Sequence, residues 1–406
     1  MPNTDRPSSG GAIDDRFDAV VVGGGPAGCL AALGLARQGL RVAIVDRGAA
    51  RRDKCCGHCL NPRVRTLLAR HGLLDLVESI AVGRTRRLSL EERSGRPLLD
   101  LRLDRDDRDG GWLVPRDRLD AALWDVAVAE GATGIRPASA GLRSIDDVSL
   151  DGDAVVDVDD GRERRSLRCG LVVAADGLGS GLARRGGLAP RRSGRGFGFS
   201  ASIEPAFEVS EALGLRADRV LMLVESGGYL GLVREFDPVF GERVHAAGLV
   251  REGRGGRRSP GEFVQSMLEP RVAMEPSLRG VVAAGPMPWR PSRVTRRALA
   301  LVGDAAGYVE PFTGEGMAWA FESASALVDA IAAHGGWNAA AASAYARAHR
   351  REIAGSQRGC AFVAATLERP SLLRSACAIG RGAMRTWPGL GRSIVEAALL
   401  RGLVTR

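Results

Sequence analysis

Apolar and polar positions along this 406-residue chain fall into two patterns that alternate in sequence. Residues 17–22, 41–45 and 298–302 are short, nearly unbroken apolar runs, as strands of a parallel sheet covered on both faces require. Residues 220–224, 229–233 and 244–249 belong to an alternating stretch, 196–249, which predicts an antiparallel sheet with one buried face. A hairpin is expected over 85–103, ending in the charged turn 104–111. A helix is expected over 118–128 and a further strand over 150–158. Ser259, Pro260, Gly261 and Glu262 open a short helix, with a serine cap and a proline just inside it. Beyond residue 339 the pattern is helical, rich in Ala and Arg, and broken at Pro370 and Pro388. The parallel-type runs stand far apart, so the chain is expected to leave one α/β domain and later re-enter it. That gives a flexible leader over 1–16, a discontinuous Rossmann-like domain over 17–80, 112–190 and 290–335, a β-sheet domain over 81–111 and 191–289, and a helical region over 336–406.

The first apolar run leads into Gly23, Gly25 and Gly28 in G-x-G-x-x-G spacing, with Pro26 and Ala27 between them. Gly23 permits a tight turn, Gly25 lets a pyrophosphate approach the backbone, and Gly28 lets helix pack closely on strand. Pro26 suits the first turn of a helix, whose free amides and dipole favour phosphate. The helix ends at Gly39, and Asp46 closes the next strand, where an acid can accept hydrogen bonds from both ribose hydroxyls. Arg47, beside it, is a further candidate contact. Strand, glycines, helix, strand and terminal acid together predict a dinucleotide site.

The run at 298–302 selects the kind of dinucleotide. It closes on Gly303 and Asp304, an acid suited to ribityl hydroxyls, and Pro311, Thr313, Gly314, Glu315, Gly316 and Met317 lead into a long apolar helix through Trp319, Phe321 and Leu327. A helix starting there would aim its amides past the strand ends and favour negative charge on the N1/C2=O edge of a reduced flavin. FAD lying across a discontinuous domain accounts for both segments.

With GGGPAG and Asp46, DKCCGHCLNPR at 53–63, VPRDRLDAAL at 114–123, and LVVAADGLGSGLAR at 171–184 followed by VGDAAG and P-x-TGEG, the chain resembles FAD-dependent oxidoreductases of the para-hydroxybenzoate hydroxylase superfamily. Within it the resemblance is greatest to the geranylgeranyl reductase family. The motifs cover about half the sequence. The resemblance implies an α/β fold of that type with a β-sheet substrate domain, a cofactor contact from Arg116, and Asp176-Gly177 near the pyrophosphate. It also implies reduction of carbon–carbon double bonds in an apolar, isoprenoid-like substrate. TGEG favours a reductase, since hydroxylases commonly carry an asparagine shortly after their last glycine, where this chain reads Met317, Ala318, Trp319. NAD(P)H or a separate electron carrier would supply the electrons, because no second nicotinamide-binding fold is visible.

Lys54, Cys55, Cys56, Gly57, His58 and Cys59 form the most reactive-looking stretch. Cys56, Cys59 and His58 suggest zinc, but no further C-x-x-C or H-x-x-x-H completes four ligands, so no metal is expected. A dithiol exchanging electrons with flavin is a second reading. The resemblance favours a third, a K-x-CGG-like loop beside the isoalloxazine ring with His58 in place of the second glycine. It makes Cys56, Gly57 and Lys54 the catalytic candidates. Lys54 is the sole lysine among 57 basic residues, and a compact ammonium fits where a guanidinium does not. Chance survival at the surface is the alternative. Met222, Tyr229, Leu230, Leu232 and Trp289 are candidates to line an apolar tunnel, or equally to pack a sheet core.

Composition narrows the rest. The net charge of +9 is carried almost wholly by arginine; it suits anionic lipid, nucleic acid or a phosphorylated substrate. No aromatic-interleaved basic run points to nucleic acid, and the charge reads as mostly a solvated surface; the expected partners are a small apolar or aromatic substrate, with a peripheral membrane contact as an option. Seven cysteines, odd in number and clustered, fit a reducing cytosol. The polar start is not a signal peptide, and no 18-residue apolar run is present, so a cytoplasmic location is expected. Three rivals to the reductase remain: a monooxygenase acting on an aromatic or polyketide substrate, a halogenase, disfavoured by the missing W-x-W-x-I-P, and a non-catalytic flavin-binding protein.

Overall fold

The structure, a computed structural model, describes residues 16–49, 53–103, 110–143, 154–190, 194–251 and 258–386. Residues 1–15 of the expected leader, 104–109 of the charged turn, and Pro388 lie outside the described residues.

Strand β1 (Arg16–Val22) is buried from Ala19 onward and turns at Gly23 into helix α1 (Pro26–Arg37). At Gly23 φ is +116°, and an added Cβ would meet the Ala175 carbonyl oxygen at 2.1 Å, so only glycine makes this turn. Strand β2 (Val42–Val45) returns parallel to β1. Helix α2 (Arg116–Ala129) and strand β3 (Arg164–Ala174), which pairs with the other edge of β1, complete the first passage through the α/β domain.

The chain then crosses into a second sheet through β4 (Gly196–Glu204), β5 (Arg219–Glu225), β6 (Gly228–Asp237), β7 (Gly241–Arg251) and β8 (Ser277–Met287). It returns with β9 (Leu299–Leu301), which pairs parallel to β3, and helix α3 (Gly316–Ala333). Helices α4 (Ala339–Leu367) and α5 (Pro370–Thr386) follow. The parallel sheet thus runs β9, β3, β1, β2 and Thr133–Ile135, with a short antiparallel strand, Thr295–Arg296, outside β9. One core packs α1, α2 and α3 on one face of it, and a second core covers the other face.

The second sheet runs β8, β4, β7, β6, β5, Arg87–Glu92, Pro97–Arg102. The hairpin at 85–103 is therefore its edge. The sheet is not antiparallel throughout, as its alternation suggested: β5 pairs parallel with Arg87–Glu92, because two separate passages of chain meet there rather than a hairpin. Its outer face packs on helices Ala206–Leu213 and Pro260–Leu268. The latter carries a complete capping box between Ser259 and Glu262. Period-two alternation assigns the side chains of β6. Leu230 and Leu232 enter the helix-covered core, whereas Tyr229, Gly231 and Val233 face the α/β domain. The tunnel expected from sequence is corrected accordingly. Met222 and Tyr229 line a cavity, Leu230 and Leu232 do not, and Trp289 packs in the α/β core with its indole N–H donating to the Ala305 carbonyl (3.1 Å).

Candidate functional site

A cavity of about 750 Å³ lies between the C-terminal ends of the parallel strands and the inner face of the second sheet. Its first zone is built by the β1–α1 turn. Gly23, Gly25, Pro26, Ala27, Asp46 and Arg47 line it, while Gly28 works from behind, where a Cβ would collide with the Gly23 carbonyl oxygen at 1.8 Å. A Cβ on Gly25 would stand 3.2 Å from Lys54 Nζ and 3.7 Å from Arg116 Nη2. The helix N-terminus, an ammonium and a guanidinium therefore converge on one bare backbone position, a cradle that fits a pyrophosphate. Asp120 gathers the two cations: Arg116 forks onto it (3.0 and 3.1 Å), and Lys54 Nζ lies 2.8 Å from its Oδ2. Sequence reading missed Asp120. Its signal was the i, i+4 spacing from Arg116 on a helix.

Asp46 is buried and already serves the backbone, accepting from Gly24 N–H (2.5 Å) and Gly48 N–H (2.6 Å). It therefore shapes the turn. Asp176 lines the cavity and caps the short helix Gly181–Arg185, accepting from Ser180 Oγ (2.5 Å) and Leu182 N–H (3.1 Å). Lys54 was expected among the catalytic residues of a ring-side loop. Its ammonium lies beside Gly25 and Asp120, at the β1–α1 turn.

The second zone is a slot between the cysteine loop and the turn before α3. Cys55, Cys56 and Gly57 line one side, and Gly303, Asp304, Tyr308, Pro311, Phe312, Gly314, Gly316 and Met317 the other. Burial pushes Asp304 up to about 6 against the pull of Arg116 and Lys54. Glu315 departs from expectation. Its carboxylate turns away from the slot onto Arg63 (3.2 Å) and Ser356, because a buried carboxylate takes the nearest cation and donor. Arg63 also forks onto Glu322, in the second turn of α3.

The cysteine loop is anchored to the second sheet. Cys56 N–H donates to Ser200 Oγ (3.3 Å), and the Cys56 carbonyl accepts from His245 Nε2 (2.7 Å). His58 has φ +58°, so a histidine adopts the left-handed geometry that a glycine would supply without strain. Its Nδ1 meets Glu235 Oε1 at 2.7 Å, and its ring stacks on His245 at 3.6 Å with 10° between planes. Burial drives all three toward neutrality, His58 down to about 3, His245 down to about 4, and Glu235 upward. Ligand atoms of this trio lie within 4.8 Å of one another. Nearly parallel rings, however, send their lone pairs side by side rather than at one point, which is a poor metal geometry. None of these partners of the loop was legible in sequence, since they arrive from strands some 140 to 190 residues away. Burial raises all three loop thiols, Cys55 to about 12, which disfavours thiolate chemistry.

The third zone is the inner face of the second sheet: Val220, Met222, Tyr229, Gly231, Val233 and Ala247, with Leu88 from the hairpin. It is apolar, and the Met222 sulfur lies over Gly231, 2.9 Å from where a Cβ would stand.

Residues 16–231, more than half of the chain, match the family described as FAD binding domain, and the chain belongs to that family. It is a flavoprotein oxidoreductase with the p-hydroxybenzoate hydroxylase type of fold. It is 31% identical to a probable electron transfer flavoprotein-quinone oxidoreductase of Escherichia coli, over 51% of this chain and 45% of that one. It is 28% identical to menaquinone reductase of Mycolicibacterium smegmatis, over 77% and 75% of the two chains. It is also 28% identical to digeranylgeranylglycerophospholipid reductase 2 of Methanothermobacter thermautotrophicus, over 76% of each. Among solved structures, p-nitrophenol 4-monooxygenase of Pseudomonas putida superposes with a TM-score of 0.76 at 17% identity, covering 95% of this chain and 99% of that one. No helix among the described residues is long and apolar enough to cross a membrane.

Proposed function

We propose that this flavoprotein reduces carbon–carbon double bonds of an apolar, isoprenoid-like substrate. Bound FAD, once reduced, supplies the hydride. The observation that carries the reading is the third zone, an apolar sheet face lined by Val220, Met222, Val233 and Leu88 across from the slot, suited to an apolar chain. The names of two relatives, a menaquinone reductase and a digeranylgeranylglycerophospholipid reductase, support it. Lys54 and Arg116 hold the pyrophosphate, Asp46 the ribose and Asp304 the ribityl chain, and Cys55–Gly57 with Pro311–Met317 clasp the ring. NAD(P)H or a reduced electron carrier is the donor, working in a cytoplasmic enzyme that meets its lipid-like substrate at a membrane surface.

A second reading is hydroxylation of an aromatic or polyketide substrate, favoured by the resemblance in fold to p-nitrophenol 4-monooxygenase. Prenyl lipids and aromatic polyketides offered side by side to the anaerobically reduced enzyme separate the two. Saturated prenyl product, with flavin reoxidised without oxygen, is expected. Reoxidation that needs oxygen and yields a hydroxylated aromatic would replace the first reading with the second.

A further inference from the structure

Three of the exposed large apolar side chains, Phe236, Val239 and Phe240, gather at the tip of the β6–β7 hairpin, with Val239 75% and Phe240 71% exposed. The tip is built to hold them there. Asp237 accepts from the N–H groups of Val239 (2.8 Å) and Phe240 (3.1 Å) and from Arg118 (2.5 Å). Pro238 restricts the backbone, and Gly241 closes the turn at φ +72°. Apolar side chains grouped and held in water mark a contact surface rather than chance exposure. Resting on the reading of a lipid-like substrate, we propose that this tip enters the surface of a lipid bilayer and holds the cavity beside the membrane that stores its substrate.

The polar neighbours of the tip fit that surface. Arg234 lies over the Phe236 ring at 5.4 Å, and Arg243 over the Phe240 ring at 5.5 Å. A ring with a guanidinium behind it matches the two layers a bilayer presents, the ring among acyl carbons and the cation at the phosphates. Asp237 is matched by Arg118 and Glu242 by Arg234 (2.7 Å), while Arg243 donates to Ser202 Oγ (2.7 Å). Arg243 is thus the cation the tip has to spare for a lipid phosphate.

Size selects a bilayer over a protein partner. Three side chains offer well under the about 800 Å² that each partner buries in a stable protein interface, whereas a bilayer takes up single rings. Position suits it as well. Val233 is the last residue of β6 that lines the cavity, and Asp237 begins the turn four residues later, so the tip stands about 13 Å further along the strand.

The test sediments the full-length FAD-loaded protein with vesicles of phosphatidylcholine and phosphatidylglycerol. It compares wild type, Phe240→Ser, Val239→Ser/Phe240→Ser and, at another exposed apolar pair, Leu372→Ser/Ile379→Ser on α5. Wild type should pellet with the vesicles. Phe240→Ser should bind about tenfold more weakly and the double tip variant about a hundredfold, the scale of one and two apolar side chains kept from lipid. The α5 variant should bind as wild type does. All four should keep their flavin and, once reduced, be reoxidised anaerobically at one rate by a short prenyl alcohol in solution, which needs no membrane. A wild type that stays in the supernatant, a double tip variant that binds within about twofold of wild type, or a loss confined to the α5 variant overturns the proposal while the reductase reading stands. So does a tip variant that lowers the mass of the protein sedimented alone, which would make the tip a contact between copies. A wild type that docks through the tip but is reoxidised by no prenyl alcohol keeps the docking surface and overturns the reductase reading.

Discussion

His58 holds a left-handed backbone that a glycine would adopt without strain. Its left-handed backbone costs about 1 kcal/mol, while the bond to Glu235 and the stack on His245 each return about as much. His58→Gly should therefore lower stability, by about 1–3 kcal/mol in denaturant unfolding, because the buried Glu235 carboxyl loses its partner. The companion change Glu235→Leu should recover much of that loss. The two imidazoles also set an acid limit. Their folded-state values, about 3 for His58 and about 4 for His245, lie below the unfolded value near 6.5, so the unfolded chain binds more protons over that interval. The stability they contribute is complete above about pH 6.5 and falls as pH drops toward 4, with the raised Glu235 opposing in part. Unfolding free energy measured across this range should slope less in a His245→Gln variant. Asp46→Ala should weaken FAD retention by about 1–3 kcal/mol. It should also lower the stability of the domain, since the carboxylate holds the amides of Gly24 and Gly48.

At the scale of elements, the two walls of the flavin slot respond differently to substitution. At Gly316 an added Cβ would meet the Tyr308 ring at 2.9 Å, whereas at Gly314 the space is open and φ is +63°. Gly316→Val should empty the flavin site. Gly314→Asn, a residue that tolerates the left-handed region, should keep FAD and its absorbance. The cysteine loop is expected to act as wall rather than wire. Its thiols are free cysteines whose pKa values burial raises, so reductive titration should consume about two electrons per flavin, and about four only if a disulfide takes part. These elements also show what a sequence carries. The turn at Gly23, the helix behind Pro26 and the acid Asp46 were legible because each depends on neighbours within one βαβ unit. Asp120 was hidden in plain spacing. Ser200, Glu235 and His245 were illegible because only the crossing of a second sheet brings them to the loop. Lys54 was legible as unusual, but its position beside the β1–α1 turn depended on Asp120.

Over the whole molecule, the α/β domain is closed by chain segments that flank the second sheet in sequence, with β9 and α3 arriving only after that sheet is complete. Ligand binding therefore reports on the assembled fold. FAD at a hundredfold over its dissociation constant should raise unfolding free energy by about 2.7 kcal/mol, and both sheets should melt together in that scan. Two separated transitions, only one of them FAD-dependent, would show that the sheets are energetically independent. The division between sheets could be read from hydrophobic period, because covered parallel strands and half-buried strands differ in pattern. The parallel seam between β5 and Arg87–Glu92 could not, since period two is common to both pairing directions.

Arg63 lies just beyond the cysteine loop, and its guanidinium spans Glu315 and Glu322 at the start of α3. The two jaws that face each other across the slot are thus riveted together behind the ring. The width of the gap is set by protein rather than by its guest, and the empty protein should hold the same opening. On the proposed placement of the flavin, this half-buried double ion pair braces the slot from behind. FAD is in this sense a lodger behind a bolted door, and Arg63→Ala should show itself in how quickly the yellow colour washes out on dialysis.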